Sequence, residues 1–199
     1  MLKHLFDYRQ RKESDDLCPN HVRNVVKIKG IPKDKIDYML NKLAVKYVPI
    51  GGMKEEWIID FDLIVPEPRY KIDCPKRYQV NSKSHVEKDK DRPWFDWYEW
   101  HIANWGTKWN AYDGYTIIGK TQLTFVFNTA WSMPYKVYSL LGALCVKSGY
   151  SMEVRYADED YGNNCGTLTY NAKEHDVIVQ TEKDLPNPER FAIYIWNKY

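Results

Sequence analysis

Long apolar runs are missing from this sequence. Nowhere do some eighteen apolar residues follow one another, which disfavours a membrane-spanning helix. Cysteine is scarce: Cys18, Cys74, Cys145 and Cys165 show no C-x-x-C spacing, and no His-x-x-x-His pair accompanies them. Neither a zinc ribbon nor thioredoxin chemistry is therefore indicated, and the thiols are expected to be reduced ones in a cytoplasmic protein. An excess of charge is also lacking, since 29 basic and 27 acidic residues leave a formal charge of +2. So weak a field excludes non-specific coating of a polyanion. Residues 1–20 are dense in charge and lack the apolar core of a signal peptide, so secretion is not expected.

What the chain does have is rings. Aromatics make up 15% of its 199 residues, with 8 Trp and 16 Tyr, enough both to fill a core and to form a recognition surface. A hydrophobic share of 44% against 28% charged places the chain among globular proteins.

Periodicity orders the elements. From His21 to Gly30, Val22, Val26 and Ile28 alternate with Arg23, Lys27 and Lys29, as in a half-buried strand. Pro32 then opens an amphipathic helix carrying Ile36, Met39, Leu40 and Leu43, which is expected to run to about Val45. Trp57 to Val65 alternates apolar residues with Asp60 and Asp62 until Pro66, predicting a strand. From Arg69 to Arg92 the chain carries 8 basic and 4 acidic residues, read as an exposed insertion or linker. Asp96 and Glu99 have capping-box spacing, opening a helix through Lys108 with Trp97, Trp100, His101, Asn104, Trp105 and Lys108 near one face. A strand over Thr121 to Trp131 and a helix from Pro134 to Gly149 follow. Next come strands around Met152 to Tyr156, Thr167 to Tyr170 and Val177 to Thr181, and a last helix opens at Asn187-Pro188.

Three stretches resemble the YubB-like family of plasmid and phage proteins: Pro19-Asn20-His21-Val22-Arg23-Asn24, Asn104-Trp105-Gly106-Thr107-Lys108-Trp109-Asn110-Ala111, and Phe127-Asn128-Thr129-Ala130-Trp131-Ser132, joined by Ile64-Val65-Pro66-Glu67-Pro68. The resemblance implies a mobile-element accessory protein. It also implies an α+β fold: a ferredoxin-like antiparallel sheet with helices on one face, plus a small N-terminal strand-helix-strand unit. The expected division is a charged extension over residues 1–18, the N-terminal unit over 19–68, a basic linker over 69–93 and a ferredoxin-like module over 94–199. The resemblance supplies no catalytic residue.

Gly114-Tyr115-Thr116-Ile117-Ile118-Gly119-Lys120-Thr121 fits the P-loop spelling, yet its β-branched residues and the alternation that follows predict strands, not a loop opening a helix. Asp158, Glu159 and Asp160, with Asp60 and Asp62, lack the spacing of a Mg²⁺ or Ca²⁺ site, and His21, His101 and His175 have no adjacent nucleophile motif. No metal, cofactor or catalytic residue is expected. The candidate binding residues are Asn104, Trp105, Lys108, Trp109, Asn110, Asp113 and Trp131, whose rings either pack on the sheet or present a surface. Two functions fit: a non-enzymatic protein binding a host protein, as in counter-defence, or a binder of a nucleotide or single-stranded nucleic acid.

Overall fold

A computed structural model describes residues 19–48, 54–67, 97–173 and 176–199. In chain order these form β1 (His21–Lys29), a 3-10 turn (Lys33–Lys35), α1 (Ile36–Leu43), β2 (Ala44–Tyr47), β3 (Glu56–Ile59), a second 3-10 turn (Phe61–Leu63) and α2 (Trp97–Asn104). There follow β4 (Tyr112–Ile118), β5 (Gln122–Ala130), α3 (Tyr135–Lys147), β6 (Ser151–Asp158), β7 (Cys165–Asn171), β8 (Asp176–Thr181) and α4 (Pro188–Lys198). The charged extension, the basic segment from Arg69 to Arg92, Asp96 and His175 lie outside the described residues.

Six strands make one sheet in the order β4-β5-β1-β6-β7-β8, every neighbour antiparallel. Its first four strands, taken with α1 and α3, have the β-α-β-β-α-β order of the ferredoxin-like fold, in which each crossover carries a helix over the same face. Strands β7 and β8 widen the sheet beyond that unit.

β1 is an inner strand, bonded to β5 on one side and β6 on the other. It therefore belongs to the sheet that residues 94–199 were expected to build alone. Of the expected N-terminal unit, only the hairpin β2-β3 stands as a separate sheet. That hairpin is tied to β4, because the Tyr47 hydroxyl donates to the Gly114 carbonyl at 2.6 Å and the Thr116 hydroxyl to the Trp57 carbonyl at 2.7 Å.

The side-chain period of two divides the sheet into two faces. Val22, Val26 and Ile28, with Leu123, Phe125, Phe127, Met152 and Val154, pack under α1 and α3 in the main core. Val25, Val126, Ala157 and Cys165 point the other way and are covered by Ala192 and Ile195 of α4. Helices thus occupy both faces, because the last helix, with Asn187 accepting from the Arg190 N–H as its cap, returns across the side that α1 and α3 leave open.

Three boundaries differ from the periodic reading, one of them that of α2, which ends at Asn104 and not at Lys108. α1 stops at Leu43, and residues 44–47 extend into β2. β3 stops at Ile59, because the Asp60 carboxylate accepts the Asp62 N–H at 2.9 Å and turns the chain into a 3-10 turn with Phe61 buried. The apolar residues beyond it keep their alternation but no longer lie on a strand. The glycine-rich octapeptide forms β4 and the turn into β5, where the Gly119 N–H donates to the Gln122 carbonyl at 2.9 Å. No helix follows it, so it lacks the amides that cradle a phosphate.

Candidate functional site

The residues that prompted the family resemblance meet at one end of the sheet, where β1 begins and β5 ends. Part of the meeting is structural. On the α3 face, Asn24 is fully buried. It accepts the Tyr138 hydroxyl at 2.7 Å and donates to the Thr129 hydroxyl at 2.9 Å and the Val22 carbonyl at 2.8 Å. Thr129 donates onward to the Ser132 carbonyl, and the Ser132 hydroxyl to the Gly106 carbonyl at 2.6 Å. The Thr107 hydroxyl donates to the Ala130 carbonyl at 2.8 Å. A fully bonded buried network of this kind fixes one packing, since a lost partner leaves an expensive orphan. Burial also drives the Tyr138 phenol well above its ordinary value, so the donor in this chain keeps its proton.

Several of the expected binding residues serve the same scaffold. Trp105 is 2% exposed, donates its indole N–H to the Val65 carbonyl at 2.9 Å, and stacks on His101 with ring centroids 4.0 Å apart. His101 in turn bonds the Lys108 carbonyl and the Glu67 carboxylate. Asn110 accepts the Phe61 and Ala111 N–H groups and donates to Asp60, holding the 3-10 turn in place. Asn104 donates to the Trp100 carbonyl of its own helix. These residues support the site, Trp105 from within the core and Asn104 and Asn110 from half-buried positions.

The other four, Lys108, Trp109, Asp113 and Trp131, do gather at the sheet end. The Lys108 ammonium lies 4.5 Å from the Trp131 ring centroid and 5.1 Å from that of Trp109, placing a cation between two indoles. Trp131 follows the last residue of β5 with φ of 67°, a left-handed conformation that bulky residues seldom hold. It is pinned there by its N–H to the Asn20 carbonyl and by Asn164 donating to its carbonyl. Asp113, with φ of 46°, forms the bulge between Tyr112 and Tyr115 in β4.

That bulge sits beside a cluster that the sequence reading passed over. Arg23 of β1 and Tyr112 of β4 are both cross-strand partners of Asn128 in β5, so the three side chains share the α4 face. Asn128 is 6% exposed, and no hydrogen-bonding group among the described residues reaches its Oδ1. Arg23 Nε is equally buried and without an acceptor, while its Nη1 reaches the Asp113 carbonyl at 3.4 Å and its guanidinium lies 5.0 Å from the Trp196 ring centroid. Burial lowers the Arg23 pKa from its ordinary value. The Tyr112 phenol, raised first by burial and then by the Asp113 charge, keeps its proton and can donate it to His21 Nδ1, 2.5 Å away. Trp109 packs edge-on to Tyr112 and is 36% exposed.

The acidic triplet nearby is spent on the turn. The Asp158 carboxylate accepts from Asn20, Asn164 and the Asp160 N–H, and Glu159 accepts the His21 N–H. Among the described residues no group of three or more His, Cys, Asp or Glu is placed to hold a metal, and no helix is long and apolar enough to cross a membrane.

Arg23 and Asn128 lie within the first and third resembling stretches. Their alternation showed that each occupies the face opposite the main core, but nothing in a single sequence pairs position 23 with position 128. No curated protein and no solved structure matches this chain. Residues 104–192 match the family model described as a ferredoxin-like domain in Api92-like protein, which, with the strand order described above, makes this a ferredoxin-like α+β chain.

Proposed function

We propose that the sheet end is a binding site for a nucleotide or a single-stranded nucleic-acid base. The observation that carries the reading is the unfilled pair on facing strands: among the described residues Arg23 Nε is a donor lacking an acceptor, and Asn128 Oδ1 an acceptor lacking a donor. Buried polar groups are nearly always paired, and orphans tend to mark function. Both atoms are covered, Arg23 by the Trp196 ring among others, so a nucleobase edge, which offers an acceptor beside a donor, completes both once the covering side chains move aside. Trp109 supplies an exposed ring for stacking, a contact of about 1 to 3 kcal/mol per base, and Lys108 a nearby cation for phosphate.

The test is calorimetric titration with the four nucleoside monophosphates and with decathymidylate. The expected result is binding of at least one, lost on Arg23→Met or Asn128→Leu. For the oligonucleotide, weakening with added salt follows from counterion release. Absence of binding to all five probes overturns the reading.

A second reading, that the chain is a plasmid or phage accessory protein with a host protein as its partner, draws support from the resemblance to YubB-like proteins and from one observation. Strand β8 ends the sheet with Val177, Ile178 and Val179 all exposed. Unprotected edges of this kind are what sheet proteins ordinarily avoid. Affinity recovery from host lysate followed by crosslinking to named residues tests that reading.

A further inference from the structure

We infer that the β8 edge takes up an extended segment of a partner protein by strand addition, the segment carrying apolar side chains at alternate positions and basic residues at its flanks. This rests on the second reading above and names the chemistry of the partner.

The edge is open along a regular ladder. All six residues of β8 pair with β7 without a bulge, and no described strand lies on its other side. The strand holds no Pro or Lys to discourage pairing. Backbone groups alternate in direction along a strand. The Val177 N–H donates to the Asp176 carboxylate at 2.7 Å and the Thr181 N–H to the Asp184 carboxylate at 2.8 Å, so the odd-numbered amides face outward. Between those two, the Val179 N–H faces out as well. The free donor therefore sits at the strand centre, with an acid at either end.

The same odd positions aim their side chains at a groove. Val177 and Val179 line a cavity of about 820 Å³ with Leu168, Tyr170, Ala143 and Val146, between α3 and the outer strands. The groove exists because β7 and β8 extend the sheet past the reach of α3. A backbone ladder beside an apolar groove selects an extended chain, since main-chain bonds give affinity and alternate side chains give specificity.

Charge decides which chain. A two-fold pairing of β8 with a second copy must put like-facing residues opposite each other. Centred on Val179 it brings Asp176 beside Glu182, just past the strand end, and like charges directly opposite are destabilising; centred on Ile178 it sets Asp176 against Gln180. Neither register of a second copy places a cation opposite Asp176. A heterologous strand with an apolar residue opposite Val179 and Lys or Arg beyond it meets Asp176 and Asp184 with opposite charge.

The experiment is selection of a displayed random dodecapeptide library on the full chain, followed by affinity measurement of synthetic winners and amide hydrogen exchange. The expected winners have apolar residues at alternate positions with flanking Lys or Arg, lose at least tenfold affinity on Val179→Lys, and slow exchange of the Val179 amide. Ile178→Lys, on the opposite face, should change affinity less than threefold. Winners with helical spacing, or indifferent to Val179→Lys, overturn the inference. So does a Val179 amide already protected in the unliganded chain: a monomeric mass then assigns the edge to a segment of this chain, a dimeric mass to a second copy. A host protein crosslinked elsewhere, with β8 exchange unchanged, overturns the β8 docking and leaves the protein-partner reading standing.

Discussion

Arg23 and Asn24 are neighbours in one strand and lead opposite lives. Asn24 faces α3 and has its carbonyl oxygen and amide nitrogen both matched by protein partners, while Arg23 faces α4 and leaves its Nε unmatched opposite an unmatched Asn128. Polar groups on the first side hold the fold in a single arrangement; those on the second are held in place by the fold with bonding capacity left over. Two adjacent residues in the same resembling stretch thus meet opposite surroundings, one fully matched by the protein and one with bonding capacity left over.

The contrast can be broken most forcefully at Asn24. Asn24→Leu orphans the Tyr138 hydroxyl and removes a donor from Thr129, and should cost about 2 to 4 kcal/mol in urea unfolding, as for disruption of a buried network. A loss under 1 kcal/mol would show that the network is ornamental. Gly106→Ala attacks the same network from its far end. The added Cβ would come within 2.7 Å of the Tyr135 ring at a φ of 87°, so a cost of about 1 to 3 kcal/mol is expected from overpacking and strain.

Arg23→Met and Asn128→Leu should behave in the opposite manner. Each removes an unsatisfied group, so stability should stay within about 1 kcal/mol of the parent or rise, while nucleotide affinity falls at least tenfold. A severe loss of stability with either change would place these residues with Asn24. Lys108→Gln, removing a cation from between two rings, should cost less than about 1 kcal/mol, readable as a small shift in the unfolding midpoint.

The two faces can also be told apart by thiol chemistry. Burial pushes Cys145, on the inner side of α3, up to about 12, and Cys165, under α4, up to about 11. Since the thiolate is the reacting form, raising these values suppresses reaction at pH 8 and delays it as pH climbs. In a Cys18→Ser, Cys74→Ser background, labelling by a disulfide reagent in the folded state should be slow at pH 8, with Cys165 ahead of Cys145 as pH rises. The reverse order would mean that the α4 face is the tighter one.

Much of this was legible in the sequence. The order of strands and helices and the cap at Asn187 follow from local period and turn chemistry, whereas the ferredoxin-like arrangement is what the resemblance to YubB-like proteins implies, and the helix read through Lys108 stops one residue before the buried Trp105. Alternation also placed Arg23 and Val22 on opposite faces. What alternation does not contain is the neighbour: parity assigns a side but no partner strand, so the sequence alone groups β1 with the helix and strand that follow it, over residues 19–68, and not with the sheet of residues 94–199. The same blindness hid the Arg23–Asn128 pair, 105 positions apart in the chain and adjacent in register. Asp60 ended β3 through a side-chain bond that the apolar period beyond it masked. Among the candidate residues, Asn110 looked like a free polar edge and is a clamp, because an amide that satisfies two backbone donors and a carboxylate is indistinguishable in sequence from one facing solvent.

The inner position of β1 carries a topological consequence. Among the described residues the sheet falls into two blocks, β4-β5 and β6-β7-β8, that share no ladder of their own and are joined within the sheet by residues 21–29. The stretch 104–192, matched as a domain, therefore omits the strand on which its sheet is centred. Cut from the rest, those blocks should behave as a receptor awaiting its missing slat, and a synthetic peptide spanning residues 19–31 as the piece that restores it, so that this chain could be divided into two inactive parts whose reunion reports that they have met.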